Sequence, residues 1–556
     1  MDMTASFAST DREAIRKGLS EEIFDVLVIG GGITGCGIAL DAQVRGLKTA
    51  LIDMQDFAEG TSSRSTKLVH GGLRYLKQFE VKLVAEVGKE RAIVYENAPH
   101  VTTPVWMLLP IYKNGTFGKW TTSIGLKVYD FLAGVRKQER RSMLNREETL
   151  EKEPLLKKEG LLGGGYYVEY RTDDARLTLE VIKEAVRRGA KALNYVKAEE
   201  LLYDENGTIK GVKAVDQITG KAVDILAKKV VNACGPWVDS IREKDHSKKG
   251  KTLHLTKGVH IVFDAKRFPL RNAVYFDTPN GDGRMIFAIP RGGKVYAGTT
   301  DTNYHDDPAQ MRMTVTDRDY LLEAVNGMFP SLGLTPQDIE SSWAGVRPLI
   351  HEEGKDPSEI SRKDEIFISD SNLITIAGGK LTGYRKMAER TVDLVCSQLS
   401  RETGTQYPRC STDKVPLSGG DFGGSQYFAD RISEFIAEGR SLGLSESEAS
   451  GLAHLYGTNT EKLFEILRTE KNDATDLPDF VFAQVEYGIR EEMVTKPVDF
   501  FIRRTGALFF NMEWVRRWKD PVINYMQQRL NWDEETKQLY AEQLEAAITT
   551  AVAAEE

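Results

Sequence analysis

Cysteine is scarce: four residues in 556, at Cys36, Cys234, Cys396 and Cys410. None stands in a Cys-x-x-Cys pair, which argues against a zinc site or a disulfide framework and gives no sign of a metal centre. Free thiols in a reducing compartment fit better. Positive charge is not in excess either: 74 Lys and Arg face 82 Asp and Glu, a net charge of −8. Nucleic-acid binding is therefore disfavoured as the main task, because polyanion binders carry a basic surface. No stretch reaches the roughly 18 uninterrupted apolar residues of a membrane span. The nearest, Val26 to Leu40, is glycine-rich and bounded by Asp25 and Asp41. Met1 to Glu22 lacks the apolar centre of a signal peptide, and its acidic residues speak against a transit peptide. No repeat of fixed period is visible.

What is abundant is glycine, 49 residues, on a background of 41% hydrophobic and 28% charged residues that suits a large globular chain. One cluster carries chemistry. Phe24 to Ile29 reads as a short buried parallel strand. Gly30-x-Gly32-x-x-Gly35 follows it, Cys36 to Leu47 has helical spacing, and Lys48 to Ile52 reads as a second strand ending at Asp53. In such a unit the first glycine permits the tight turn, the second admits a pyrophosphate to the backbone, and the third lets helix and strand close up. The helix N-terminus supplies donors to phosphate, and Asp53 stands where a carboxylate accepts ribose hydroxyls. Dinucleotide binding follows, with NAD and FAD both open at this point. The hydroxyl-rich run Thr61-Ser62-Ser63-Arg64-Ser65-Thr66-Lys67 could bind a pyrophosphate or a flavin edge. His70-Gly71-Gly72-Leu73-Arg74-Tyr75 suggests backbone brought close to a ligand.

Further on, the pattern predicts a helix at Leu177 to Arg188 and a strand at Ala190 to Ala198. It predicts a hairpin of Gly211 to Val215 with Ala222 to Leu226, and a buried strand at Lys229 to Ala233. Strands follow at His260 to Phe263, Ala273 to Phe276, Met285 to Ile289, Lys294 to Gly298 and Leu373 to Ala377, then a helix at Thr382 to Leu399. After about Tyr407 helical periodicity dominates. A capping box at Ser445 to Glu448 precedes one helix. Others are expected at Thr460 to Leu467, Asp479 to Glu492, Val498 to Phe510 and Asp533 to Ala551. The charged run Lys244 to Lys251 reads as a solvated loop.

Several stretches together resemble the FAD-dependent glycerol-3-phosphate dehydrogenases, within the D-amino-acid-oxidase-like flavoprotein superfamily. They are Asp25 to Asp53, Ser62 to Leu76, Asp173 to Leu177, Asn232 to Val238, Lys257 to His260, Gly298 to Asp301, Gly345 to Leu349, Gly378 to Thr382 and Asp499 to Thr505. The His70-to-Leu76 stretch and the paired arginines near residue 503 are the more specific signals. The chain lacks the long insertion associated with the oxygen-using α-glycerophosphate oxidases, which favours a dehydrogenase.

The resemblance implies an α/β fold: a Rossmann-like FAD-binding domain at 21–100, 160–257 and 366–406, an interleaved antiparallel-sheet substrate domain at 101–159 and 258–365, and an all-helical domain at 407–556. It implies oxidation of sn-glycerol 3-phosphate to dihydroxyacetone phosphate, with non-covalent FAD taking the hydride and a membrane quinone the electrons. The expected place is cytoplasmic, peripheral on the inner membrane face; the oligomeric state stays open, a homodimer included. His260, Arg347 and Lys380 are implied in catalysis, and Arg74, Tyr75, Thr299 and Arg362 in substrate binding. FAD is expected on Gly30, Gly32, Gly35, Asp53, Thr61, Ser62, Ser63, Ser65, Lys67, His70, Gly71, Gly72, Gly235, Gly379, Leu381 and Thr382. Cys36 and Cys234 are read as structural. Thr103 to Pro110 and Trp120 to Val135 are apolar and aromatic, suited either to a bilayer surface or to a domain wall. Competing functions are an oxygen-using oxidase, an amine or amino-acid oxidase, and a flavin-binding scaffold without turnover.

Overall fold

The computed structural model describes residues 6–69, 81–113, 115–116, 141–352, 363–470, 472 and 476–556, with backbone alone at 81–85. Among these residues two sheets and a helical C-terminal region make up the chain.

The first sheet has eight strands. Its centre is Ala222–Asn232, Ile23–Ile29 and Thr49–Ile52, paired in parallel, with Ile374–Ala377 and Lys191–Leu193 outside them. These strands are buried on both faces, as their unbroken apolar runs require. Helices Ile33–Val44, Asp174–Arg187 and Tyr384–Thr403 cover the sheet. The expected strand at Ala190 to Ala198 is two strands, broken where Tyr195 takes a left-handed backbone. The strands expected at Ala222 and Lys229 are one. Alternating burial in its first half pairs with Ile209–Asp216, and its fully buried second half enters the parallel core.

The second sheet has ten strands, with Lys251–Asp264 and Ile339–Glu352 forming a long antiparallel ladder. Thr102–Tyr112 and Leu161–Thr172 continue it, so the division expected at residue 160 does not fall where the sheets change. Met107, Leu108 and Leu109 are buried in that strand; this half of the candidate membrane segment is sheet wall. Trp120 to Val135 lies outside the described residues.

The C-terminal helices pack on the second sheet through Phe509 and Phe510 against Trp343 and Tyr296. The Ser445 capping box is present. The helix expected at Val498 to Phe510 is broken: Gly506 has φ +67° and separates a π-helical turn, Phe500–Arg504, from Ala507–Phe510. Helices Arg12–Glu21, Phe428–Ser441 and Met512–Leu530 were not expected.

Charge joins the C-terminal region to the first sheet. Arg503 Nε donates to Asp56 Oδ2 at 2.5 Å, and Arg504 Nη2 to Asp56 Oδ1 at 3.0 Å. Asn194 Nδ2 also donates to Asp56, at 2.8 Å. Although burial opposes it, the two guanidinium groups hold the Asp56 carboxyl down at about 2. Arg176 joins Glu180 on its own helix to Glu492 in the same manner.

Candidate active site

The parallel strands end together, and their C-terminal ends open on a cavity of about 860 Å3. Ligands bind there in open α/β sheets because the strand ends and helix starts converge. Gly30 has φ +112°, and a Cβ on it would lie 2.5 Å from the Ala233 carbonyl oxygen. At Gly35 a Cβ would lie 1.8 Å from the Gly30 carbonyl oxygen. Helix and strand are therefore in backbone contact, and the first helical turn faces the cavity with its amides forward. At Gly32 a Cβ would meet only Ser62 Oγ, at 3.2 Å, so this position looks into open space.

Ser62 Oγ accepts from the Ile33 amide at 2.9 Å, and Thr61 Oγ1 donates to the Val346 carbonyl at 2.8 Å. The hydroxyl-rich loop thus ties the helix start to the second sheet. Asp53 accepts from the Gly31 amide at 2.5 Å and the Gln55 amide at 2.7 Å. Burial raises its carboxyl to about 7, the two amides opposing this.

At the far end the ladder aligns His260 with Trp343, Gly258 with Gly345 and Thr256 with Arg347. These pairs are two residues apart, so their side chains share one face. Arg347 donates to Thr299 Oγ1 at 3.0 Å and to the Thr300 carbonyl at 3.2 Å, and pairs with Asp301 at 3.3 Å. The His260 ring stacks on Trp343 at 4.8 Å and 12°. Its Nε2 is 3.1 Å from Thr66 Oγ1; its Nδ1 is buried without a hydrogen-bond partner. Burial, then the charges of Arg347 and Lys67, hold the imidazole well below its ordinary range. It is therefore neutral at physiological pH.

Gly235, Gly379, Lys380, Leu381, Thr382 and Thr299 line the same cavity. Two expected cofactor residues are turned elsewhere. Lys67 Nζ bonds Asp174 at 2.6 Å and the Ser63 carbonyl at 3.0 Å, and Ser63 is buried behind the cavity wall. Ser65 reaches the cavity, but its hydroxyl donates to Asp174 at 2.7 Å. Gly35 acts by seating the helix. His70, Gly71, Gly72, Arg74, Tyr75 and Arg362 lie outside the described residues. The Cys36 and Cys234 thiols are raised by burial and bond backbone carbonyls, as structural cysteines do. Sequence reading missed Glu59 and Arg64, which line the cavity, and Gly258, whose lack of a side chain makes room for Arg347. Arg64 and Gly258 stand in stretches already singled out, without a role of their own there; that of Gly258 is set by Arg347, which is distant in the chain.

The geometry fits FAD. Amides stand at a helix start for the pyrophosphate, a carboxyl stands at the second strand end for the ribose, and the cavity continues to a cationic end suited to a flavin ring. The fold and this site define an FAD-dependent oxidoreductase. A family described as "FAD dependent oxidoreductase" matches residues 25–385, and one described as "C-terminal domain of alpha-glycerophosphate oxidase" matches residues 410–537. The aerobic glycerol-3-phosphate dehydrogenase of Bacillus subtilis (strain 168) is 60% identical over 552 residues, 99% of each chain. That of Staphylococcus aureus (strain USA300) is 56% identical over 540 residues, 97% of each. The crystal structure of the glycerol-3-phosphate dehydrogenase from Bacillus halodurans complexed with FAD superposes with a TM-score of 0.86 at 53% identity, covering 98% of this chain and 99% of that one. The chain belongs to the FAD-dependent oxidoreductase family and, within it, to the aerobic glycerol-3-phosphate dehydrogenases.

Proposed function

We propose that the chain oxidises sn-glycerol 3-phosphate at C2 to dihydroxyacetone phosphate, losing a hydride from carbon and a proton from the hydroxyl. The carrying observation is the juxtaposition of the Arg347 guanidinium and the neutral His260 imidazole on one face of the ladder, at the cationic end of the FAD cavity. FAD, when bound, supplies the hydride-accepting chemistry. Arg347, held by Thr299, Thr300 and Asp301, keeps a fixed fork toward the oxygens of the reacting end. His260, being uncharged, takes the C2 hydroxyl proton at Nε2 in place of its contact with Thr66. Lys380 adds positive charge where hydride transfer brings negative charge. Arg74, Tyr75, Thr299 and Arg362 are assigned to substrate and its phosphate, and His70, Gly71 and Gly72 to the cofactor, by resemblance.

The electrons pass to a membrane quinone, and the protein sits peripherally on the cytoplasmic membrane face, as a homodimer or a monomer. In support, among the described residues no helix is long and apolar enough to cross a membrane, and the named relatives are aerobic enzymes. We assign FAD chiefly to the first sheet, substrate to the second, and a supporting role to the helices from 407 onward. Anaerobic addition of glycerol 3-phosphate to purified protein should bleach the flavin, and a quinone analogue should restore its colour. Bleaching with amino acids alone would refute the substrate; failure of quinones where oxygen succeeds would refute the acceptor.

A further inference from the structure

A second cavity, of about 1230 Å3, opens behind the first. The helix Arg12–Glu21, the loop 309–313, Ser342 to Ala344 and the last helix enclose it. It meets the flavin cavity along Met54, Gln55, Glu59 and Arg64. These residues belong to the segment that carries Asp53, Thr61 and Ser62.

Its walls are rich in cations. Among the described residues Arg12, Arg64, Arg312, Lys496 and Arg503 face Glu59 and Asp533. Most of these charges are committed. Arg12 pairs with Asp216 at 2.9 Å, Arg312 with Glu555 at 3.8 Å, and Arg503 with Asp56 and Asp499. Glu59 lies 3.4 Å from Arg503, and Asp533 caps the last helix through the Thr536 amide. Two cations remain. Arg64 has no side-chain hydrogen bond and no ion pair among the described residues. Lys496 Nζ lies over the rings of Tyr195 at 4.3 Å and Tyr540 at 5.4 Å, with no carboxylate at ion-pair distance among the described residues. Burial disfavours the charge on both, opposed by Glu59 near each and by Asp499 near Lys496, none of them at ion-pair distance among the described residues. Cations so placed are costly without a counter-ion.

We propose that this cavity is a second anion site, distinct from the substrate site, that takes a small molecule bearing a phosphate group. Arg64 offers the planar fork that matches phosphate oxygens, and Lys496, on the wall of the same cavity, offers a point charge. Tyr195, Trp532 and Tyr540 provide aromatic walls for the organic part. An occupant would touch the same segment that holds FAD, so its binding would report to the flavin.

Equilibrium dialysis of the FAD-loaded full chain against radiolabelled inorganic phosphate tests this, with the phosphates of FAD already in place. Two phosphates per chain are expected: one displaced by glycerol 3-phosphate, the other retained. Lys496→Gln and Arg64→Gln should each weaken the retained phosphate about tenfold or more, the loss of one charged hydrogen bond. Lys496→Gln should leave the KM for glycerol 3-phosphate unchanged. The absence of any phosphate that survives excess glycerol 3-phosphate overturns the site. So does a retained phosphate of equal affinity in both variants, which would be an adventitious ion only. Should the proposed substrate be wrong, the displaceable phosphate disappears while the retained one stays, and the two failures are thereby separated.

Discussion

Gly258→Ala adds one methyl group to the strand that faces Arg347. That methyl would lie 2.5 Å from Arg347 Nη2, 2.9 Å from Cζ and 2.4 Å from Thr299 Oγ1. Ordinary contact begins near 3.4 Å, so the guanidinium must retreat by about 1 Å. The groups in the way are side-chain ends, which can move, and Gly258 needs no left-handed backbone. The fold and FAD occupancy should therefore survive, with a melting temperature within a few degrees of the parent. A misplacement of about 1 Å in a positioning group costs roughly 100-fold in rate, or about 2.7 kcal/mol in the barrier. Anaerobic stopped-flow flavin reduction should fall by that factor, while circular dichroism and the flavin spectrum stay as they were. A folded, yellow Gly258→Ala protein that reduces its flavin within threefold of the parent would refute the claim that Arg347 must occupy this place. Gly35→Ala makes the contrast. Its methyl would meet a backbone carbonyl at 1.8 Å, helix and strand must part, and the folded holoprotein should be lost.

Gly32→Val should fold but emerge colourless, because its side chain enters the open space meant for the pyrophosphate; full flavin occupancy would contradict this. Arg347→Lys should recover little of the rate lost in Arg347→Ala, since one ammonium cannot serve Thr299, Thr300 and Asp301 together; parallel stopped-flow runs decide it. His260 is held neutral when folded, whereas the unfolded chain takes up a proton below about pH 6.5. Stability is therefore lost as pH falls below that value, and His260→Gln should show a smaller drop in melting temperature between pH 7 and 5. Asp53 has its carboxyl raised to about 7, and ribose hydroxyls favour the ionised form. FAD affinity of the apoprotein should rise about tenfold from pH 6 to 8 as that form fills, and Asp53→Asn should flatten the rise in a flavin titration.

The site was legible in sequence where its chemistry is local. Gly30, Gly32, Gly35 and Asp53 sit within one strand–turn–helix–strand unit, whose spacing alone states the geometry. Arg347 and His260 were reached through resemblance, and the long ladder that pairs their strands gives the physical reason for their meeting. A hydroxyl-rich run looks the same in sequence whether its side chains face a ligand or, as those of Ser65 and Lys67 do, bond Asp174, more than a hundred residues away. The helix Met512–Leu530 was hidden by Pro521 in its interior, which packing overrides. Arg12–Glu21 was hidden by its many charges, although Ile15 and Leu19 are buried on one side. Arg64 and Lys496 could not be picked out, because lacking a partner is a property of the folded surroundings.

The clamp on Asp56 sets an order of events during synthesis. Asp56 is among the first tenth of the chain to leave the ribosome, yet both of its guanidinium partners, Arg503 and Arg504, emerge in the last tenth. Until then its carboxylate would be buried without a counter-charge, a penalty of about 3–5 kcal/mol, or would stay in water with its segment undocked. That segment carries Asp53 and Thr61 and Ser62. Loading of flavin is thus a late event, completed after release of nearly the whole polypeptide, and nascent chains arrested before residue 500 should leave the ribosome without cofactor.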